Sequence, residues 1–208
     1  MSLPKFSNQI QQEVAQGVLL VTSKHMNRSA LGIVHAVTLI YKEANFNELK
    51  TILPDSINPF STNRTKNLFR PFDNSRPYGV IQPGSIVAEA KSKGVNMVHF
   101  TESNEIFKSA DGVDVYVSNI WESEDGESGL KDIHELEKAV ASWGVQLNKP
   151  IPSDAICICS GEYTIHILNK PLYDKLQTLA SKQRRAKIIW IAILMVTVLS
   201  IGVLLFNH

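Results

Sequence analysis

An α+β fold is what this sequence predicts: N-terminal helices, a mixed sheet ending in a C-terminal antiparallel hairpin, then one C-terminal transmembrane helix. Three observations lead there. Apolar residues recur at spacings of three and four through residues 5–53. Short β-type runs bounded by turn residues follow from residue 95 onward. Residues 188–206, IIWIAILMVTVLSIGVLLF, then carry no charge at all.

Phe6, Ile10, Val14, Val18 and Val21 predict a helix over roughly 5–23. A rival reading makes Val18 to Thr22 a buried strand feeding a later helix, which would suit a Rossmann-like start; four apolar residues in a row cannot decide between the two. Leu31, Val34, Thr38 and Tyr41 predict a second helix from Ser29 to Glu43. Asn45 caps a short third one that Pro54 stops.

Residues 54–82 keep neither period, and Pro54, Pro59, Pro71 and Pro77 interrupt them. An irregular stretch this long inside a domain is unusual and often functional. Order returns with a helix over Ile86–Lys93, a strand over Val95–Phe100 and a short helix after Ser103. An Asp111-Gly112 turn then leads into alternating Val113, Val115 and Val117. Glu122, Glu124, Asp125 and Glu127 make an acidic loop. Ser128 opens a helix whose Ile133, Leu136, Val140 and Trp143 share one face, and Gly144 closes it. Ala155–Cys159 and Glu162–Leu168 flank Ser160-Gly161, a hairpin signal. Beyond Pro171, Leu172, Leu176 and Leu179 begin a stripe that meets the apolar run without a breaker.

A bilayer core about 30 Å thick needs ~20 apolar residues in a helix, so residues 188–206 can span it. Lys182, Arg184, Arg185 and Lys187 precede the run, Trp190 sits at its near end, and Asn207 and His208 follow it. The positive-inside rule then places the N-terminal part in the cytosol, and the lipid bilayer is the first expected partner. With no signal peptide read at the N-terminus, the expectation is a single-pass tail anchor. In a bacterium the membrane would be the inner one; in a eukaryote the endoplasmic reticulum is favoured. The expected organisation is a cytosolic domain over 1–170, a basic juxtamembrane helix over 171–187 and the span over 188–206.

The 208 residues carry a net charge of +1, so no overall field points to nucleic acid. Two cysteines, Cys157 and Cys159, do not make a disulfide framework, and interior packing is their expected role. No histidine or cysteine spacing predicts a metal, and no phosphate-cradling glycine motif predicts a cofactor.

Two clusters remain as candidate sites. Arg64, Lys66, Arg70 and Arg76 alternate with Phe60, Phe69, Phe72 and Tyr78, and cations among aromatics suit an anionic group or a ring. His99 and Glu102, at the end of a predicted strand, are the weak acid–base candidates. The favoured expectation is a tethered, non-enzymatic module that binds a protein partner at the membrane through Arg64, Lys66, Arg70, Arg76 and Tyr78. A ligand-gated membrane effector that senses an anionic small molecule such as a nucleotide is the alternative, and a membrane-surface enzyme is a further one. No small-residue motif in the span specifies a homo-oligomer, and self-association stays open.

Overall fold

A computed structural model describes residues 6–58, 79–93, 101–119, 121 and 128–206. Its first helix, α1 (Asn8–Ala15), is opened by Ser7, whose hydroxyl accepts from the Ile10 N–H. It does not continue to residue 23. Leu19–Ser23 is a strand, β1, so the helix expected over 5–23 is corrected to a short helix followed by the rival strand. The physical reason is tertiary. Leu19, Leu20 and Val21 are fully buried, and β1 is hydrogen-bonded along both edges, which outweighs the helical spacing of its side chains.

β1 pairs in parallel with β5 (Val145–Leu147) and antiparallel with β7 (Tyr163–Ile167), and β6 (Ile156–Ser160) closes the far edge. The four form a mixed sheet in the order β5-β1-β7-β6. β6 and β7 are the predicted hairpin, with a bulge between Cys157 and Cys159. Because β6 is the edge strand, Cys157 is exposed and Cys159 half-buried, which corrects the expectation of two interior thiols. A second, antiparallel sheet runs β2 (Ile81–Pro83), β4 (Asp114–Val117), β3 (Phe107–Lys108), counted across from one edge. Val115 and Val117 are its buried face, in line with the alternation of that segment.

Helices cover these sheets. α2 (Met26–Ile40) starts earlier than residue 29 and buries Ala30, Leu31, Ile33, Val34, Ala36, Val37 and Ile40. A helix apolar on nearly all sides belongs in the interior, and α2 packs between β1 and the later helix α5 (Ser128–Ala141). α3 (Phe46–Ile52) carries the full capping box: Asn45 accepts from the Glu48 N–H and the Glu48 carboxylate accepts from the Asn45 N–H. Asp55–Ile57 is a turn of 3₁₀ helix inside the stretch expected to be irregular, and α4 (Gly84–Ser92) begins two residues before Ile86. A second 3₁₀ turn spans Ser103–Glu105. The strand expected over Val95–Phe100, most of 54–82 and the acidic loop 122–127 lie outside the described residues.

The last helix, α6 (Lys170–Phe206), runs unbroken for 37 residues, about 55 Å at 1.5 Å per residue. Asn169 caps it by accepting from the Leu172 N–H at 3.0 Å. Leu172, Leu176 and Ala180 are buried against the domain, and Gln177 donates to the Leu39 carbonyl at the end of α2. Beyond Ala180 the described side chains turn outward: Ile188 is 58% exposed, Trp190 71% and Met195 60%. Thr197 bonds back to the Ile193 carbonyl at 2.9 Å, which satisfies its hydroxyl within the helix. Counted over the described residues, no helix is long and apolar enough to cross a membrane; the side chains of 198–206 fall outside that set.

Gly144 joins α5 to β5 at φ +88, a left-handed backbone that side chains disfavour. A Cβ there would meet Val18 Cγ2 at 2.9 Å and Val14 Cγ1 at 3.0 Å. Gly144→Ala should therefore lower the unfolding free energy by about 1–3 kcal/mol. Urea titration of the detergent-solubilised chain, followed by circular dichroism, would show a lower midpoint; an unchanged midpoint contradicts this packing.

Candidate functional site

The C-terminal ends of the parallel strands β1 and β5 open into a cleft of about 1000 Å³. Strand ends of this kind are where open α/β sheets receive ligands, because the chain leaves the sheet there in loops free to diverge. One wall is continuous sequence: Thr22 and Ser23 end β1, Lys24 and His25 turn the chain, and Met26, Asn27 and Arg28 begin α2. The opposite wall comes from Asn148 after β5 and from Gly161, Glu162, Tyr163 and Thr164 at the β6–β7 turn. Asn119 and Trp121, which follow β4, complete it.

Asn148 locks the two strand ends together. Its N–H donates to the Val21 carbonyl at 2.8 Å, and its Oδ1 accepts from the Ser23 N–H at 3.1 Å. It does so at φ +46, a left-handed conformation that asparagine tolerates better than most residues. His25 gives α2 no side-chain cap; the Asn27 side chain accepts from the Arg28 N–H instead. Asn119 Oδ1 is buried and has no hydrogen-bond partner among the described residues.

Among the described residues, Lys24 and Arg28 are the cations of the cleft lining and Glu162 is its carboxylate. Lys24 forms no ion pair among the described residues. Arg28 holds two carboxylates: Nη1 engages Glu105, and Nε engages Glu162 at 2.6 Å. Through this guanidinium α2, the 3₁₀ turn beside the small sheet and the β6–β7 turn meet at the cleft mouth.

Tyr163 links the cleft to the interior. Its ring lies against α2 where Gly32 leaves room; a Cβ on Gly32 would stand 2.9 Å from Tyr163 Cδ2 and 2.7 Å from Val21 Cγ1. The Tyr163 hydroxyl shares a 2.9 Å hydrogen bond with His35 Nδ1, and His35 stacks on Phe107 at 4.7 Å. Burial holds the imidazole below its ordinary pKa. Burial, then the neighbouring Cys159 and Glu105, push the Tyr163 phenol up to about 12. Burial likewise raises the Cys159 thiol, so it is no activated nucleophile.

Of the residues that the sequence singled out, those that are described do not line this cleft. Arg64, Lys66, Arg70, Arg76, Tyr78 and His99 lie outside the described residues. Glu102 is exposed and lines neither the cleft nor the smaller cavity beside His35 and Phe107. Lys182, Arg185 and Trp190 are exposed on α6, away from the cleft lining; Arg184 and Lys187 belong to the same helix. Among the described residues no His, Cys, Asp and Glu group could hold a metal ion. The one sequence signal for the cleft was the rival reading of Val18–Thr22 as a strand feeding a helix, since that unit carries its first wall.

His35 makes stability depend on pH. Its folded pKa lies below 6.5, so the unfolded chain binds the extra proton and stability is lost as pH falls from about 6.5 through the lowered value. The stability difference between the wild type and His35→Gln should shrink when pH is lowered from 8 to 5. A difference that stays constant or grows on acidification, measured by urea titration at each pH, contradicts the buried neutral imidazole.

The chain matches no family model, no curated protein and no solved structure, so the functional reading rests on the cleft's own geometry.

Proposed function

We propose that this chain is a membrane-tethered ligand-binding module, in which the cleft takes an anionic small molecule and α6 connects the domain to the bilayer. The cleft carries the reading. At about 1000 Å³ it has the capacity of a small-molecule site and room for a nucleotide-sized ligand. Among the described residues Lys24 is a lining cation that no carboxylate pairs, Arg28 holds Glu105 and Glu162, and the Asn119 and Asn148 side chains complete the other walls.

The tether is supported by the outer part of α6. Ile188, Ile189, Trp190, Ile193 and Met195 are all at least half exposed on a helix that has left the domain. Removing each such side chain from water is worth about 1.5–3 kcal/mol, and lipid supplies that burial without a protein partner. Ala180, the last of the described residues to be buried, is eight positions before Ile188, or about 12 Å along the helix. The domain would therefore sit close to the headgroups, with Lys182, Arg184, Arg185 and Lys187 at the cytosolic face.

Two connections run from cleft to tether. β7 begins at the cleft with Tyr163 and leads through Asn169 into α6. α2 begins at the cleft and its last turn carries Leu39, whose carbonyl accepts from Gln177 of α6. A ligand that prefers one arrangement of the cleft would thus bias the helix that enters the membrane. This reading favours the ligand-gated alternative over partner binding through Arg64, Lys66, Arg70, Arg76 and Tyr78.

Two measurements check it. The full chain in non-ionic detergent should gain thermal stability with at least one member of a panel of nucleotides and phosphorylated metabolites. A ligand at 100 times its Kd adds about 2.7 kcal/mol, and Lys24→Gln with Asn148→Ala should reduce that gain. Silence across the panel at millimolar concentration contradicts the ligand reading. Separately, the chain in membranes should resist extraction by alkaline carbonate; recovery in the supernatant contradicts the tether.

A further inference from the structure

We propose that Arg28 is the anion receptor of the cleft and that Glu162 is its built-in competitor, displaced from the guanidinium when a phosphate-bearing ligand binds. This rests on the ligand-binding reading of the cleft.

The two carboxylates on Arg28 are held very differently. Glu105 is 23% exposed and belongs to a short 3₁₀ turn, and its Oε2 is buried without a hydrogen-bond partner among the described residues. Glu162 is 67% exposed and sits in the Gly161-Glu162 turn between β6 and β7. Among the described residues nothing stands within 4 Å of where a Gly161 Cβ would be, so that side of the turn is open. One further contact, Ser23 Oγ donating to the Glu162 carbonyl at 3.4 Å, holds the turn at the cleft wall. The Glu162 carboxylate therefore leaves Arg28 for water at little cost, whereas Glu105 stays and orients the guanidinium.

This arrangement selects ligand chemistry. A neutral ligand has nothing to offer Arg28 in exchange for a carboxylate. A phosphate brings more charge and three acceptor oxygens, suits the guanidinium fork, and finds Lys24 on the same wall. The ligand class is thus a phosphomonoester or pyrophosphate carried by a small molecule. β7 runs from the cleft to Asn169, so the cleft opens at the strand end away from where α6 begins, which favours a soluble ligand over a lipid headgroup. Displacing Glu162 also frees the turn that starts β7, the strand that leads to α6.

The test titrates inorganic pyrophosphate into the full chain in non-ionic detergent, by calorimetry, for wild type, Glu162→Gln and Arg28→Lys. Circular dichroism confirms that each variant is folded. Removing the competitor should tighten pyrophosphate binding about fivefold in Glu162→Gln, the equivalent of one exposed ion pair. Arg28→Lys, which keeps the charge and loses the fork, should weaken it about tenfold or more. Wild-type binding that Glu162→Gln leaves unchanged or weakens overturns the competitor while the cleft still stands as a ligand site. No pyrophosphate binding by any of the three overturns this proposal; a silent nucleotide panel as well overturns the cleft reading beneath it. Repeating the wild-type titration with the chain in phosphatidylcholine nanodiscs, with and without phosphatidic acid, separates the two sources of phosphate. Unchanged affinity supports the soluble ligand, and competition by phosphatidic acid overturns that choice in favour of a headgroup.

Discussion

β1 is hydrogen-bonded on both sides, and most of this structure follows from that double pairing. One edge takes β5 in parallel and the other takes β7 antiparallel. Leu19, Leu20 and Val21 are shut from solvent as a result, and truncating a buried leucine of this kind typically costs about 2–5 kcal/mol. Set against a usual net stability of about 5–15 kcal/mol, this strand is not dispensable. The parallel pairing with β5 forces a long crossover, which brings in α2, the small sheet and α5. It also aligns the C-terminal ends of β1 and β5, and the cleft is the space those ends leave.

Under the proposed function, the same strand order would let a binding cleft and a tether communicate. β7 and α2 each have one end at the cleft and the other at α6. α6 is held there by a capped first turn, by Leu172, Leu176 and Ala180, and by Gln177 on the Leu39 carbonyl. A single helix then passes from buried stripe to outward apolar side chains without a break. In the proposed function, such a continuous helix would pass on a change in the cleft that a flexible linker would dissipate.

Features encoded over a few residues were legible in the sequence. Asn45 and Glu48 announced the capping box, the Asp111-Gly112 turn preceded β4, and Ser160-Gly161 marked the hairpin. Leu172 and Leu176 marked the buried stripe of α6. β1 was not legible, because Val18 to Val21 satisfy helical spacing and a buried strand equally well, and only the partners at 145–147 and 163–167 decide. β2 and β5 span three residues each, too short for any period to register. The cleft is harder still. Its described residues come from 22–28, 119, 121, 148 and 161–164, so no local pattern announces Arg28 or Asn148. Charge density pointed instead to Arg64, Lys66, Arg70 and Arg76, which are close together in sequence but lie outside the described residues.

Hydrogen–deuterium exchange on the full chain in detergent, with and without a saturating phosphorylated small molecule, tests the central claim most directly. The account predicts slowed exchange in peptides covering residues 22–28 and around Asn148, with a smaller change where β7 joins α6. Protection confined to residues 60–78, with 22–28 unaffected, would contradict it.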